Sequence, residues 1–305
     1  MELRHLRYFV AVVEEQSFTK AAEKLFIAQP PLSRQIQNLE NELDVQLFIR
    51  GSRPLKTTEA GQFFYQHAVK LLSNAEEVKS MTKRVGLADR TLNIGFVGSL
   101  LFGLLSNIVY LFKQQNRDVK IEMVEMTTTD QIEALKEGRI DVGFGRLRIS
   151  DSAVKRVLLR EEPLMVAVHA SSPLVRQYKE GVYLADLLDQ HILLYPNHHK
   201  PNFSTQVRHL FSEYGLDLKN VREVRELQLA LGFVAAAEGI SIVPSSAQNI
   251  HLSHLHFIPL LDDAAVSPIF MAMRNMDENN DIHSLFDCVY QVYDLEHIGY
   301  ERRVL

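Results

Sequence analysis

Ser33, Arg34 and Gln37 lie on the outer side of a segment whose inner positions are Leu32, Ile36 and Leu39, and Pro30 and Pro31 open that segment. A hydroxyl, a forked guanidinium and an amide on one helix face form a set that can touch base edges and phosphates in a DNA major groove. A second polar group follows. Residues 46–50 and 55–57 read as two strands about a Gly51-Ser52-Arg53-Pro54 turn, and Arg50, Arg53 and Lys56 crowd that hairpin. Such a hairpin suits a clamp on phosphate backbone. Taken singly, Arg34, Arg50 and Arg53 read more readily as solvated charges; the order of the surrounding elements reverses that and favours DNA.

Those elements are three helices and a wing. Leu6, Phe9, Val10 and Val13 recur at helical steps and form one apolar face. Ser17 is placed to cap a second helix, where Ala21, Ala22 and Leu25 keep the crossing close. After a turn at 26–28, Pro30 and Pro31 suit the first turn of a third helix. Residues 58–84 then read as one long helix, capped by Thr58 with Glu59 in its first turn. Phe64, Ala68, Leu71, Ala75 and Val78 have the spacing of a coiled-coil seam, which predicts pairing with a second copy. Packing on the protein's own C-terminal body is the alternative. A hinge is expected at 86–90.

Beyond the hinge, strands and helices alternate. Strands are expected at 92–97, 119–124 and 140–144, with helices between them, the first running from Gly98-Ser99 through Leu105, Ile108 and Leu111. That order implies a parallel sheet covered by helices. Similar units recur at 192–195, 221–224 and 240–243, and 267–273 with a helix over 282–294 is expected to return to the first lobe. Two lobes joined by crossing segments leave a cleft, the default place for a small ligand. Gly98-Ser99-Leu100, Thr127-Thr128-Thr129 and Pro201-Asn202-Phe203-Ser204 read as helix starts, whose free N–H groups favour anions. Plain helix caps are the simpler reading for each site alone.

Composition restricts the function classes. The chain has 305 residues, is 46% hydrophobic and carries a formal charge of −5, so DNA affinity must come from a local basic patch. No apolar run reaches membrane-spanning length and the N-terminus has no signal-peptide core, which predicts a cytoplasmic protein without membrane contact. Cys288 is the single cysteine and reads as a buried apolar position. His198-His199, His251, His254 and His256 lack a carboxylate or thiol partner at ligand spacing and read as surface histidines, so no metal is expected. Phosphate loops, nucleophile elbows and metalloprotease helices are absent from the sequence, which predicts no enzymatic activity and no cofactor.

Residues 1–61 resemble the N-terminal domain of the LysR-type transcriptional regulators. The likeness runs through Phe9, Ser17, Ala21, Ala22, Gln29, Pro30, Leu32, Ser33, Gln37, Glu40, Leu47, Phe48, Arg50, Thr58 and Gly61. It implies an α/β chain: an N-terminal winged helix-turn-helix (1–58), a linker dimerisation helix and hinge (59–87), and a two-lobed, periplasmic-binding-protein-like effector domain (88–305). Lobe I is expected at about 91–161 and 267–305, and lobe II at about 162–266. It also implies DNA contacts from Gln29, Pro30, Ser33, Arg34, Gln37, Arg50 and Arg53 to an interrupted inverted repeat. A homodimer through the linker, a homotetramer, and RNA polymerase at the promoter are the implied partners.

The body is similar to the branch of that family that controls aromatic-compound degradation in answer to cis,cis-muconate and benzoate. The matching stretches include IGFVGSLLFGLL, ALKEGRIDVGFGRL, KPNFST and VREVRELQLALGFVAAAEGISIVPSS. This likeness implies activation of transcription, with muconate held by Ser99, Leu100, Thr128 and Phe203. It implies a second aromatic-acid pocket of Phe144, Arg146, Arg160, Glu162 and Tyr293. There Arg160 would pair a benzoate carboxylate, Phe144 and Tyr293 line its ring, and Glu162 tie Arg146 to Arg160. A solvated strand end is the alternative for 160–162. Thr57 departs from the family pattern, and Ala237, Thr127 and Thr129 depart from the branch; Ala237 is expected to disturb a helix end near the cleft, and Thr127 and Thr129 to weaken or redirect effector choice. A family member answering a different organic acid, a solute-binding protein and an enzyme acting on a carboxylate are the competing readings.

Overall fold

The computed structural model describes residues 1–49, 51–52, 54–85, 90–197, 200–275 and 279–303, with some side chains of the long helix left aside. Arg50, Arg53, most of the expected hinge and the His198-His199 pair lie outside the described residues. The chain divides into two units, Met1–Gly86 and Leu87–Leu305.

The first unit opens with α1 (Leu3–Glu15), α2 (Phe18–Lys24) and α3 (Gln29–Leu43). The buried face of α1 is Leu6, Phe9, Ala11 and Val12; Val10 and Val13 are half-buried at its margins, so the periodicity placed the stripe slightly off centre. Ser17 caps α2 by accepting from the Lys20 N–H. Leu32, Ile36 and Leu39 of α3 face the core as expected. Strands β1 (Phe48–Ile49) and β2 (Lys56–Thr57) pair antiparallel into a short wing. Phe48 closes the core over Phe9, with ring centroids 5.3 Å apart, and Phe9 lies 5.0 Å from Phe64.

Helix α4 (Glu59–Val85) begins where Thr58 ties it to the wing. The Thr58 hydroxyl accepts from the Gly61 N–H at 3.0 Å and donates to the Gln46 carbonyl at 2.7 Å. Gly61 is required there, since a Cβ would stand 2.0 Å from the Leu47 carbonyl oxygen. The expected seam is divided by this packing. Phe64 and Ala68 lie against the unit's own core, whereas Leu71 and Val78 are 47% and 63% exposed. The first three turns of α4 therefore have an intrachain partner that periodicity alone could not reveal.

The second unit starts with β3 (Thr91–Phe96), α5 (Leu105–Gln115), β4 (Lys120–Glu125), α6 (Thr128–Lys136) and β5 (Val142–Gly145). β3 pairs parallel with both β4 and β5. The expected helix start at Gly98-Ser99 is instead a 3-10 turn, Gly98–Phe102, and α5 begins only at Leu105. Strand β6 (Val154–His169) runs through the middle of the unit. Lobe II adds α7 (Pro173–Gln177), β7 (Ile192–Leu194), α8 (Phe203–Glu213), β8 (Val221–Glu223), α9 (Leu227–Ala235), β9 (Ser241–Pro244) and β10 (Leu255–Pro259). The chain returns through β11 (Val266–Arg274) and ends in α10 (Asn280–Leu295), which packs beside α5.

β6 is the shared spine. Residues 154–163 pair antiparallel with β11, and residues 164–169 pair with β9 and β10. Each side has its own core: Leu92, Ile94, Phe112 and Tyr290 on one, Val166, Leu184, Phe211 and Leu231 on the other. Lobe I is pinned by a buried ion pair, Arg274 to Asp141 at 3.2 Å, in which Arg274 also donates to the Leu135 and Ile140 carbonyls. Cys288 is fully buried in the lobe I core, and burial pushes its thiol up to about 11.

Candidate DNA-binding face and ligand cleft

Helix α3 turns Gln29, Pro30, Arg34 and Gln37 outward, with Ser33 half-buried among them. The Gln29 amide donates to the Ser33 hydroxyl at 2.8 Å, so residues one helical turn apart present one connected polar surface. Lys56 is exposed on the wing. The wing is held to α3 by a residue whose role the sequence did not reveal. The Glu40 carboxylate, 8% exposed, accepts from the Leu47 N–H at 2.7 Å and the Phe48 N–H at 3.2 Å. Its signal was weak: an acid one turn beyond Ile36, next to Leu39, where an outward-facing residue was equally compatible.

In the second unit Ser99, Thr128 and Phe203 line one cavity of about 440 Å³ between the lobes, together with Arg146, Tyr195 and Arg225. Three chain segments place them. Ser99 sits in the 3-10 turn after β3. Thr128 opens α6, whose cap Thr127 accepts from the Asp130 N–H. Phe203 opens α8 under its Asn202 cap. The first N–H groups of α6 and α8 have no intrahelical acceptor, which is the physical basis for holding an anion there. Gly145 lets Thr128 approach β5, because a Cβ would meet the Thr128 Oγ1 at 2.8 Å. The Thr128 hydroxyl accepts from the Arg146 N–H at 3.3 Å.

Leu100 does not join this wall. Its N–H donates to the Val97 carbonyl at 2.9 Å, and the residue lines a second, small cavity of about 20 Å³. Phe144, Arg160, Glu162 and Tyr293 line the same cavity, while Arg146 belongs to the first. A volume of that size holds about one water. The Arg160 guanidinium stands 5.6 Å over the Tyr293 ring. Its Nε is buried without a hydrogen-bond partner among the described residues.

The two cavities share a charged wall. Arg146 donates through Nε to the Ser99 hydroxyl at 2.9 Å and through Nη2 to Glu162 at 2.6 Å. Glu162 also accepts from the Ser246 N–H at 2.7 Å and lies 3.9 Å from the Arg160 guanidinium. Burial alone would raise the Glu162 carboxyl, but Arg146, Arg160 and the Ser246 N–H hold it below the usual carboxylate range. The solvated strand end considered for 160–162 does not exist: Glu162 is 1% exposed in mid-strand. Burial pushes the Tyr293 phenol up to about 12 against the opposing charge of Arg160.

Some expectations are corrected by position. Ala237 lies beyond the end of α9, whereas the cleft is lined from that helix's opposite end at Glu226, Leu227 and Gln228. It adopts a left-handed backbone, φ 62°, so it continues the helix stop without reaching the cleft. Thr127 lines the cavity, and Thr129 is not among its lining residues. His251, His254 and His256 are exposed. Among the described residues no group of three metal-ligating side chains converges, and no helix is long and apolar enough to cross a membrane.

Comparison with known proteins agrees with this arrangement. Residues 3–62 match the model of the bacterial regulatory helix-turn-helix protein, lysR family, and residues 86–293 match the LysR substrate binding domain. The chain is 62% identical over 296 residues to the HTH-type transcriptional regulator BenM of Acinetobacter baylyi, covering 97% of each chain. It is 41% identical over 278 residues to CatR of Pseudomonas putida, covering 91% of this chain and 94% of CatR. Among solved structures, full-length BenM matches with a TM-score of 0.68 and 59% identity over 99% of this chain and all of that one. The BenM effector binding domain with its effector benzoate matches with a TM-score of 0.69 and 55% identity, covering 72% and 99% of the two chains. These relatives are transcriptional regulators. With both domain models matched in order along nearly its whole length, the chain belongs to the LysR family of DNA-binding transcriptional regulators.

Proposed function

We propose that this regulator senses small carboxylates in the inter-lobe cleft and controls genes of aromatic-compound degradation, with cis,cis-muconate as the cleft ligand and benzoate as a second effector. The observation that carries this reading is the convergence of Ser99, Thr128 and Phe203 on one cavity beside Arg146. Hydroxyls, helix-start N–H groups and an aromatic face together suit a planar dicarboxylate. Support for the second effector comes from Arg160, whose buried Nε lacks a partner among the described residues and which lies beside Phe144 and Tyr293. That pocket must widen to admit an aromatic ring. The likeness to the BenM effector binding domain solved with its effector benzoate supports this ligand class.

Gln29, Pro30, Ser33, Arg34, Gln37, Arg50 and Arg53 are proposed to contact DNA. Leu71 and Val78, left exposed on α4, support pairing of two copies through that helix. A tetramer on an interrupted inverted repeat, acting as an activator with RNA polymerase in the cytoplasm, completes the reading. Leu100 contributes to the second pocket rather than to the cleft in this proposal. Ligand acts by preferring one lobe arrangement over another, because only a differential contact can shift an equilibrium.

Thermal stabilisation of the full chain by muconate, benzoate and saturated aliphatic dicarboxylates tests it. A saturable rise with muconate, lost in Ser99→Ala or Thr128→Val, is expected. No shift with muconate or benzoate sinks the effector assignment and leaves the family untouched.

A further inference from the structure

One polar group in the cleft wall is used neither by the fold nor by the contacts described above. Tyr195 directly follows β7, is 5% exposed, and packs its ring at a tilt against Phe203, with centroids 5.2 Å apart. It lines the inter-lobe cavity. Its hydroxyl is buried with no hydrogen-bond partner among the described residues. Buried polar groups are nearly always bonded, so an orphan donor on a residue that lines the cavity calls for a partner from outside the fold. The charges bearing on this hydroxyl are Arg146 and Glu162, the pair that Ser99 joins through the Arg146 Nε.

The surroundings define what that partner is. Burial raises the Tyr195 ionisation far above that of a free phenol, so the group stays neutral and able to donate. Phe203 beside it opens α8, an 11-residue helix whose first N–H groups have no intrahelical acceptor. Ser204, the next residue, also buries an unpaired hydroxyl. Two aromatic rings with donors at their margins fit a flat, conjugated acid.

We propose that Tyr195 is a ligand-recognition residue of the cleft, its hydroxyl donating a hydrogen bond to a carboxylate oxygen of a planar unsaturated dicarboxylate. The inference rests on the cleft reading proposed above. It separates two roles that a buried tyrosine can have. As a packing residue of lobe II, Tyr195 is replaceable by phenylalanine in the complex as well as in the free protein. As a recognition residue, it loses nothing in the free protein and one charge-assisted bond in the complex.

Calorimetric titration of the full chain with cis,cis-muconate, for the wild type, Tyr195→Phe and Ser99→Ala, decides between them. Tyr195→Phe is expected to weaken binding on the order of ten-fold, the effect of one lost bond to a charged group. Its ligand-free Tm is expected to equal or exceed that of the wild type, since an unpaired buried hydroxyl has been removed. Unchanged affinity in Tyr195→Phe beside weakened binding in Ser99→Ala overturns the assignment of Tyr195 and leaves the cleft reading standing. A lowered ligand-free Tm with unchanged affinity assigns the hydroxyl to the fold and likewise overturns it. Absence of muconate binding by the wild type overturns the cleft reading and this inference together.

Discussion

Arg146 and Glu162 meet at 2.6 Å with side-chain exposures of 4% and 1%, and each faces a different cavity. Arg146 continues to Ser99 in the cleft wall, and Glu162 to Arg160 in the second pocket. A buried charge pair of this kind contributes little net stability, but removing one partner strands the other. The pair is therefore a connection between two sites more than a stabilising contact.

Glu162→Gln leaves Arg146 and Arg160 without their shared counter-charge and is expected to destabilise the second unit by about 3–5 kcal/mol at neutral pH. Because the folded carboxyl is held below its unfolded value, near 4.3, Glu162 contributes stability above that value. The contribution is lost as pH falls through the depressed folded value. Urea unfolding at pH 7 and in this acid range checks it: the gap between wild type and variant closes on acidification. A gap independent of pH removes the charge from the account.

Arg160→Ala is expected to abolish benzoate binding while changing muconate binding less than ten-fold, because Arg160 lines only the second pocket. Separate titrations with each acid read this directly. Equal loss of both would place the two ligands in one cavity.

Glu40→Gln substitutes an amide for the carboxylate that accepts from both Leu47 and Phe48, and is expected to cost the first unit about 1–3 kcal/mol. The wing should loosen, so DNA affinity falls more than the effector response does. Thermal melting followed by operator binding at a fixed temperature below both midpoints separates the two effects.

Arg34→Ala removes an exposed cation from the outward face of α3. Affinity for DNA is expected to fall, and the slope of log K against log salt to decrease by about 1 if the contact is to phosphate. An unchanged slope with altered sequence preference would place Arg34 on a base edge instead.

Ala237→Gly relieves a left-handed residue at φ 62° immediately beyond α9. Glycine pays no steric penalty there, against some extra unfolded-state entropy, so a gain of about 0.5–1 kcal/mol is expected. A shifted urea midpoint with unchanged ligand affinity would agree with its place away from the cleft.

Order and periodicity determined much of this protein. Ser17 before Ala21 and Ala22, the proline start of α3, and the alternation of strands with helices all carry local signals, set by capping and by the repeat of apolar positions. They were enough to place two units and to put Ser99, Thr128 and Phe203 at segment starts. Tertiary structure decided what spacing cannot encode. It showed that Gly98–Phe102 is a 3-10 turn, that β6 continues through 160–162, and that Phe64 and Ala68 pack on their own unit. It moved Leu100 to the second pocket and left the hydroxyl of Tyr195, a residue lining the first, unpaired among the described residues. Local sequence sets backbone preference within a few residues, whereas the partner of a buried polar group is chosen by segments that meet only after folding, as Glu162 of β6 meets Arg146 after β5 and Ser246 after β9.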